Sequence, residues 1–216
     1  EPAGPYVIPG SYRVSMAKRV DGAVTPIGEP RTFEVYQLDA DATPRTPAVL
    51  AFQQQTATLA RAVLGANALA TETMNRLNLL EQALQATPAA DAARLAADAR
   101  TLESRLRDIQ TSLTGDRTAA RRSESSPPSL LDRLNDVTGG LWSSTLGDAT
   151  TTQKRQYEIV GSEFGGVLGQ LRTLVTVDIK RLEDSAEAAG APWTSGRFPT
   201  WEAIGADVGG NDTPRR

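Results

Sequence analysis

The longest regular pattern in this sequence runs from Val49 to Leu84. Over this stretch, apolar or small residues recur at spacings that alternate between three and four without a slip. They are Val49, Phe52, Thr56, Leu59, Val63, Ala66, Ala70, Thr73, Leu77, Leu80 and Leu84. Such a repeat is an a/d heptad seam, and it predicts one long helix that buries this stripe against other helices.

A second seam begins shortly after Pro88, which cannot continue the first helix. Its positions are Ala92, Leu95, Ala99, Leu102, Leu106, Ile109 and Leu113, and Gly115 stands just past the last of them. Glycine at this place is typical of a helix end. Because only a few residues join the two seams, the helices are predicted to fold back as an antiparallel pair.

Two further helices complete the predicted bundle. The shorter one carries Leu130, Leu131, Leu134, Val137 and Leu141 and is loosened by Gly139 and Gly140. The last helix runs from about 151 to 189, after the capping sequence DATTTQ at 148–153. Its stripe is Tyr157, Val160, Phe164, Val167, Leu171, Leu174, Val175, Ile179, Leu182 and Ala186.

Three glycines of the last helix, Gly161, Gly165 and Gly169, are spaced by four and share one face. Glycine costs helix propensity, and close approach of another helix is the usual compensation. We expect close packing inside the bundle here, in preference to a groove for a partner helix.

The start of the chain has the two-residue period of strands instead. Tyr12, Val14 and Met16 alternate with polar residues, and Asp21-Gly22 is a strong hairpin dipeptide. The return strand is predicted around Phe33 and Val35, after a long irregular connection indicated by Pro26 and Pro30. Tyr12, Val14, Phe33 and Val35 then form an apolar face, which either the helices cover or which is left exposed.

These patterns predict a mainly α fold. It is an antiparallel bundle of about four helices, with long first and last helices, preceded by a β-hairpin from a truncated β-sandwich. The predicted divisions are the hairpin at 1–40, a linker at 41–48, the bundle at 49–190 and a tail at 191–216. We expect Trp193, Phe198 and Trp201 in the tail to dock on the bundle or the hairpin, and residues 204–216 to be mobile.

The composition excludes several kinds of chemistry. The 216 residues contain no histidine and no cysteine. Ser-His-Asp and Cys-His catalysis, disulfides and the usual zinc, copper and haem ligand sets are therefore ruled out. A net charge of −3 gives no reason to expect nucleic acid as a partner. Since the chain opens at Glu1 without a signal peptide, we expect it to be a piece of a longer precursor.

The carboxylates suggest no active site. Glu183, Asp184 and Glu187 are predicted on the solvated side of the last helix, and Glu29 and Glu34 are interpreted as surface charge. Asp178 is the one carboxylate expected to face inward, where an ion pair with an arginine of a neighbouring helix is favoured over a catalytic or metal role. Arg117, Arg121 and Arg122 are interpreted as a solvated loop in preference to a basic patch.

Two short motifs near the C-terminus are weak. GADVGGND at 205–212 lacks the lysine of a phosphate-binding loop and a preceding strand, and the sequon at Asn211 carries little meaning without a secretory context. We therefore predict no catalytic, cofactor-binding or metal-binding residue and no cofactor. An enzyme that uses only carboxylates remains as a further alternative; it would need two inward carboxylates in one pocket.

The hairpin and helices together resemble a known family. The string PGSYRVSMAKRVDG…RTFEVYQLDADATP is similar to the last strand pair of an Ig-like sandwich, which in large exported bacterial proteins follows a BNR-repeat, sortilin-like β-propeller. The helical part, from LAFQQQTATLARAVLGANALATETMNRLNLLEQAL to AAGAPW, resembles the C-terminal end of those proteins. The usual DPR after the second strand is replaced by DADATPR, and the propeller itself is absent.

This resemblance implies a non-catalytic accessory domain of an exported bacterial protein, active in domain packing, assembly or protein interaction. The implied partner is the parent β-propeller or a second protomer, without nucleic acid or a membrane span, and the small-molecule ligand is unknown. The glycosyl hydrolase label often given to the family cannot be carried onto any residue here. The alternative is a helical coiled-coil adaptor or oligomerisation module, with any glycosidase activity in the absent propeller.

Overall fold

The computed structural model describes residues 7–38, 46–143, 148–199 and 201. Its elements are β1 (Gly10–Val20), β2 (Ala23–Val35), α1 (Pro47–Gln85), α2 (Ala92–Thr114), α3 (Arg117–Arg121), α4 (Leu130–Ser143), α5 (Thr151–Thr173), a π-helical turn (Leu174–Asp178) and α6 (Ile179–Ala188). The prediction of a mainly α fold with a preceding hairpin is confirmed. Most of the predicted linker and the end of the tail lie outside the described residues.

Helix α1 is a single uninterrupted helix of 39 residues, about 58 Å long. It begins at Thr46, whose side-chain oxygen accepts a hydrogen bond from the Val49 amide, and Pro47 occupies the first turn. The whole predicted seam is buried except Phe52 and Leu59, which are half-buried. Gln53 is also fully buried, and its side-chain amide donates to the Leu141 carbonyl over 3.3 Å.

Helices α1 and α2 pack as the predicted antiparallel pair, and Glu81 pairs with Arg100 across the connection at 2.8 Å. Every position of the second seam is buried. Gly115 ends α2 with φ 83°, the conformation that favours glycine at a helix terminus. The main core lies between this pair and the helices that follow, with Leu77, Leu106 and Leu171 among its fully buried members.

Helix α5, the π-helical turn and α6 form one continuous rod. It starts with a capping box in which Thr150 and Gln153 exchange hydrogen bonds, as DATTTQ predicted. With the half-buried Val167 included, the stripe keeps spacings of three and four from Val160 to Leu174 and from Ile179 to Ala186, but the spacing between Leu174 and Ile179 is five. The π turn sits at this gap, because the wider turn absorbs one extra residue and keeps both halves of the stripe facing the core.

A second, smaller cluster lies at the N-terminal end of α1. It consists of the buried residues Val49, Leu141 and Ala149, with Phe52 and Trp142 packed against it. The Phe52 ring meets Tyr157 edge-on, with 5.3 Å between the ring centroids. The early turns of α1 are therefore held by α4 and α5, beyond the reach of the shorter α2.

The hairpin differs from the prediction in its connection. Asp21 (φ 50°) and Gly22 (φ 83°) form a two-residue turn, and Val20 pairs directly with Ala23. Two positive φ values match the twist of flanking strands, so this dipeptide closes a tight hairpin. The expected irregular connection is therefore wrong, and β2 begins about ten residues earlier than the segment around Phe33.

Both prolines fit within β2. Pro26 lies opposite Ala17 in the ladder, and Pro30 falls in an irregularity opposite Ser15, where the register shifts between Val14 and Met16. Gly28, with φ 68°, lies in the same bulge. A bulge accepts proline because the residues in it are not required to donate to the opposite strand.

Candidate functional site: the exposed face of the hairpin

The register of the hairpin gathers its apolar side chains on one face. Tyr12 lies opposite Phe33, and Met16 lies opposite Ile27. Because cross-strand partners share a face, the alternation predicted from the sequence produces a mainly apolar surface, in which Arg31 lies opposite Val14. We call it the apolar face; its members are Tyr12, Val14, Met16, Val20, Ile27, Phe33 and Val35.

The apolar face is largely open to solvent. Val14 is 48% exposed, Met16 64%, Ile27 46% and Phe33 49%, whereas Tyr12 and Val35 are half-buried. Of the two outcomes expected for this face, the structure shows exposure: among the described residues, no hairpin side chain belongs to either hydrophobic cluster. An isolated two-stranded hairpin is marginal in water, so this surface calls for a covering partner.

Contacts inside the hairpin hold the face in shape. The Tyr12 and Phe33 rings stack with centroids 5.9 Å apart. The Tyr12 hydroxyl donates to the Ile8 carbonyl over 2.7 Å, which ties down the segment before β1. The aromatic pair thus fixes the open end of the hairpin, and the Asp21-Gly22 turn fixes the other.

The inward carboxylates only partly match the prediction. Asp178 pairs with Arg105 of α2 at 2.7 Å, and the expected ion pair is confirmed. However, Glu183 and Glu103 are more deeply buried, at 6% and 4% exposure. Glu183 contacts Arg76 of α1 at 2.6 Å, so its assignment to the solvated side was wrong. Asp184 is exposed, as predicted.

A signal for Glu183 was present in the sequence. The residue lies four positions after Ile179 and three before Ala186, so it shares the inward spacing of the stripe. Glu183 was predicted to be solvated because it is a glutamate, although its spacing places it in the buried stripe. A buried carboxylate needs a cation beside it, and Arg76 supplies one.

The tail docks through an arginine, and its aromatic residues remain exposed. Arg197 is buried, donates to the carbonyls of Pro192 and Ala191, and pairs with Glu187 of α6. Glu187 is therefore a paired residue, contrary to the prediction. Trp193, Phe198 and Trp201 are 61%, 91% and 85% exposed, so their predicted docking was also wrong. Apart from its 2.8 Å hydrogen bond to the Arg197 carbonyl, Trp193 faces solvent.

Arg76 and Arg197 each form an ion pair with a glutamate of α6 at this end of the bundle. Glu183 and Glu187 are one helical turn apart on α6, and each faces one of the two arginines. Gly196 lies against Arg76 so closely that a Cβ there would be 2.4 Å from the guanidinium Nε. The Arg197–Glu187 pair and the close approach of Gly196 to Arg76 together hold the tail segment in place.

The glycine stripe of α5 points away from the bundle. Gly161, Gly165 and Gly169 are exposed, and a Cβ added to any of them would meet no atom within 4 Å. The expectation of close packing inside the bundle was therefore wrong, because the seam through Val160, Phe164 and Leu171 already occupies the inward side.

The remaining charged surfaces look solvated. A groove of about 360 Å³ between α2 and α6 is lined by Arg94, Arg105 and Arg181, but each guanidinium already faces Asp98 or Asp178. Arg117, Arg121 and Arg122 are exposed, as predicted, but the segment was expected to be a loop and instead forms the short helix α3. GADVGGND and Asn211 lie outside the described residues.

Neither a metal centre nor a membrane span emerges from the described part of the chain. Its acidic residues nowhere form a group of three that would hold a metal ion. None of its helices combines the length and apolar character needed to cross a bilayer. The chain matches no known protein family, no curated protein and no solved structure. The surfaces described above are therefore the basis for inferring function.

Proposed function

We propose that this chain is a non-catalytic structural and interaction domain. The helical bundle serves as a rigid scaffold, and the hairpin packs its apolar face against β-structure of a neighbouring domain or partner. The exposure of the apolar face is the observation that carries this proposal. The bundle needs no such partner, because its own seams are buried within the chain.

The energy available from covering this face is substantial. Five of its side chains, Val14, Met16, Val20, Ile27 and Phe33, are between 46% and 64% exposed. Full burial of such a side chain contributes about 1.5–3 kcal/mol, so the half still exposed represents about 4–7 kcal/mol over the face. This favourable free energy can offset part of the entropy cost of association.

The partner in this proposal is the β-propeller parent implied by the resemblance, within an exported bacterial protein. Support for that parent comes from the hairpin and helix sequence patterns alone. The coiled-coil alternative requires a seam that is free to pair with another chain. The seam of α1 is buried by α2, α4 and α5, so we favour the hairpin as the interaction element.

Dye binding by a double variant tests the role of the face. The V14S/F33S chain is expected to bind 8-anilinonaphthalene-1-sulfonate less than half as strongly as the parent, with unchanged helical circular dichroism. Leu64→Ser, which removes an isolated exposed leucine on α1, is the matched control and should leave dye binding unchanged. Equal dye binding by parent and double variant would contradict the proposal.

A panel of polysaccharides and peptides tests the absence of catalysis. We expect no turnover by the purified chain above the buffer rate. Turnover that a point substitution abolishes would identify an enzyme and overturn this part of the proposal.

Light scattering over a range of concentrations tests the second-protomer alternative, since a constant monomer mass argues for a bundle formed within one chain.

A further inference from the structure

The two edges of the hairpin differ in their openness. The β2 edge is interrupted by Pro26 and Pro30, which have no N–H to offer an added strand, and by the bulge around Gly28. These features are ones by which proteins block strand addition. The β1 edge has neither proline nor positive φ between Ser11 and Ala17, so its outward N–H and C=O groups form an unbroken row.

The two strands also differ in charge. β1 carries Arg13, Lys18 and Arg19 and no acidic residue. β2 carries Glu29 and Glu34 with one cation, Arg31. Lys18 and Arg19 lie beside the turn, which leaves Ser11–Ala17 as the open stretch, about 23 Å long at 3.3 Å per residue.

We propose that the β1 edge accepts an added β-strand from an acidic partner segment. That segment has apolar side chains at alternate positions, which extend the apolar face, and carboxylates between them, which lie beside Arg13. This inference rests on the proposed function and names the partner of the same surface. Backbone hydrogen bonds supply affinity in such β-augmentation, and the alternating side chains supply specificity.

A second copy of this chain does not fit the β1 edge. A second β1 carries three cations and no acidic residue, so it offers no carboxylate to Arg13 in the open stretch. Like charges across strands are destabilising, whereas opposite charges contribute favourably. Charge complementarity therefore favours an acidic segment other than β1 as the strand that occupies this edge.

The full chain can be titrated with three blocked nine-residue peptides. One alternates valine with glutamate, the second has lysine for each glutamate, and the third is the glutamate peptide N-methylated at alternate residues. We expect binding of the glutamate peptide only, with slowed amide exchange in Ser11–Ala17. Equal binding of the lysine or the N-methylated peptide, or slowed exchange in β2 alone, would overturn the inference.

Three variants sharpen the titration. Arg13→Glu is expected to weaken binding of the glutamate peptide about five-fold and to let the lysine peptide bind, a gain that a misfolded hairpin cannot produce. Arg31→Glu, on β2, is the matched control and should change binding less than two-fold. Ser15→Pro should abolish binding, since Ser15 has no partner residue in β2 and its loss leaves the ladder intact.

Two outcomes separate this inference from the proposal on which it rests. If no peptide binds while V14S/F33S still lowers dye binding, the edge inference fails and the interaction function stands. If an oligothymidylate competes with the glutamate peptide and protects no amide of β1, the edge is a nonspecific anion site and the inference fails. If no peptide binds and V14S/F33S leaves dye binding unchanged, both the edge inference and the proposed function are contradicted.

Discussion

Replacing Glu183 by alanine is expected to lower the free energy of unfolding by about 2–4 kcal/mol. Removing one partner of a fully buried ion pair costs about 3–5 kcal/mol, because the other charge is left without compensation. The Glu183 side chain is 8% exposed and that of Arg76 is 23% exposed, so water solvates the remaining arginine in part and the cost falls toward the lower end. For a chain of this size, the midpoint temperature should fall by about 4–16 °C.

Urea unfolding followed by far-ultraviolet circular dichroism measures this change. Asp184→Ala is the matched control, since Asp184 is the next residue and pairs only on the surface with Lys180. It should cost less than about 0.5 kcal/mol, the usual range for an exposed i, i+4 pair. Equal costs for the two substitutions would refute the reasoning that burial decides the value of Glu183.

A double replacement isolates the pair itself. In Arg76→Met/Glu183→Leu both charges are absent, and apolar side chains of similar size fill the site. Such replacements are often neutral or stabilising, so the double variant is expected within about 1–2 kcal/mol of the parent and above either single variant. A loss in the double variant equal to the sum of the two single losses would show that the two residues contribute independently and that their ion pair adds nothing.

Three further predictions concern backbone features. Gly196→Ala is expected to cost about 1–3 kcal/mol, more than the control Gly190→Ala, because both have positive φ but only Gly196 lies against Arg76; urea unfolding compares them. Deleting Val177 from the π turn restores regular spacing of the stripe and should change the free energy of unfolding by less than about 1 kcal/mol. Deleting Gly166 instead rotates the buried seam of α5 and should cost more than about 3 kcal/mol. Similar losses for both deletions would contradict this account of the π turn. Gly165→Ala should stabilise the chain by about 0.5–1 kcal/mol in thermal unfolding, and destabilisation would show that something covers this face.

The helical part of the fold was predictable because heptad spacing reports burial directly. The seams of α1 and α2 and the cap at Thr150 were read correctly from position and residue type. The five-residue gap between Leu174 and Ile179 was also in the sequence, but spacing alone does not show whether an extra residue is absorbed as a π turn or as a register slip.

The errors share one physical cause, which is that residue type was weighed above position. Glu183 was assigned to solvent, yet it is buried because it finds the opposite charge of Arg76 across the chain. Arg197, for which no prediction was made, is buried in the same way beside Glu187. Exposed Trp193 and Phe198 were expected to dock as hydrophobic residues do. Which cation meets which anion depends on tertiary contacts that no local pattern contains, whereas the apolar face of the hairpin followed from simple alternation.

The length of α1 has a mechanical consequence. The partner proposed for the hairpin would pull on this helix at its N-terminal end, where the small cluster of Val49, Leu141 and Ala149 would resist the force. That cluster has few members, whereas the main core grips the helix farther along. Tension should therefore detach the first turns of α1 from α4 before the rest of the bundle unfolds, so that local unfolding at this end protects the main core from the force.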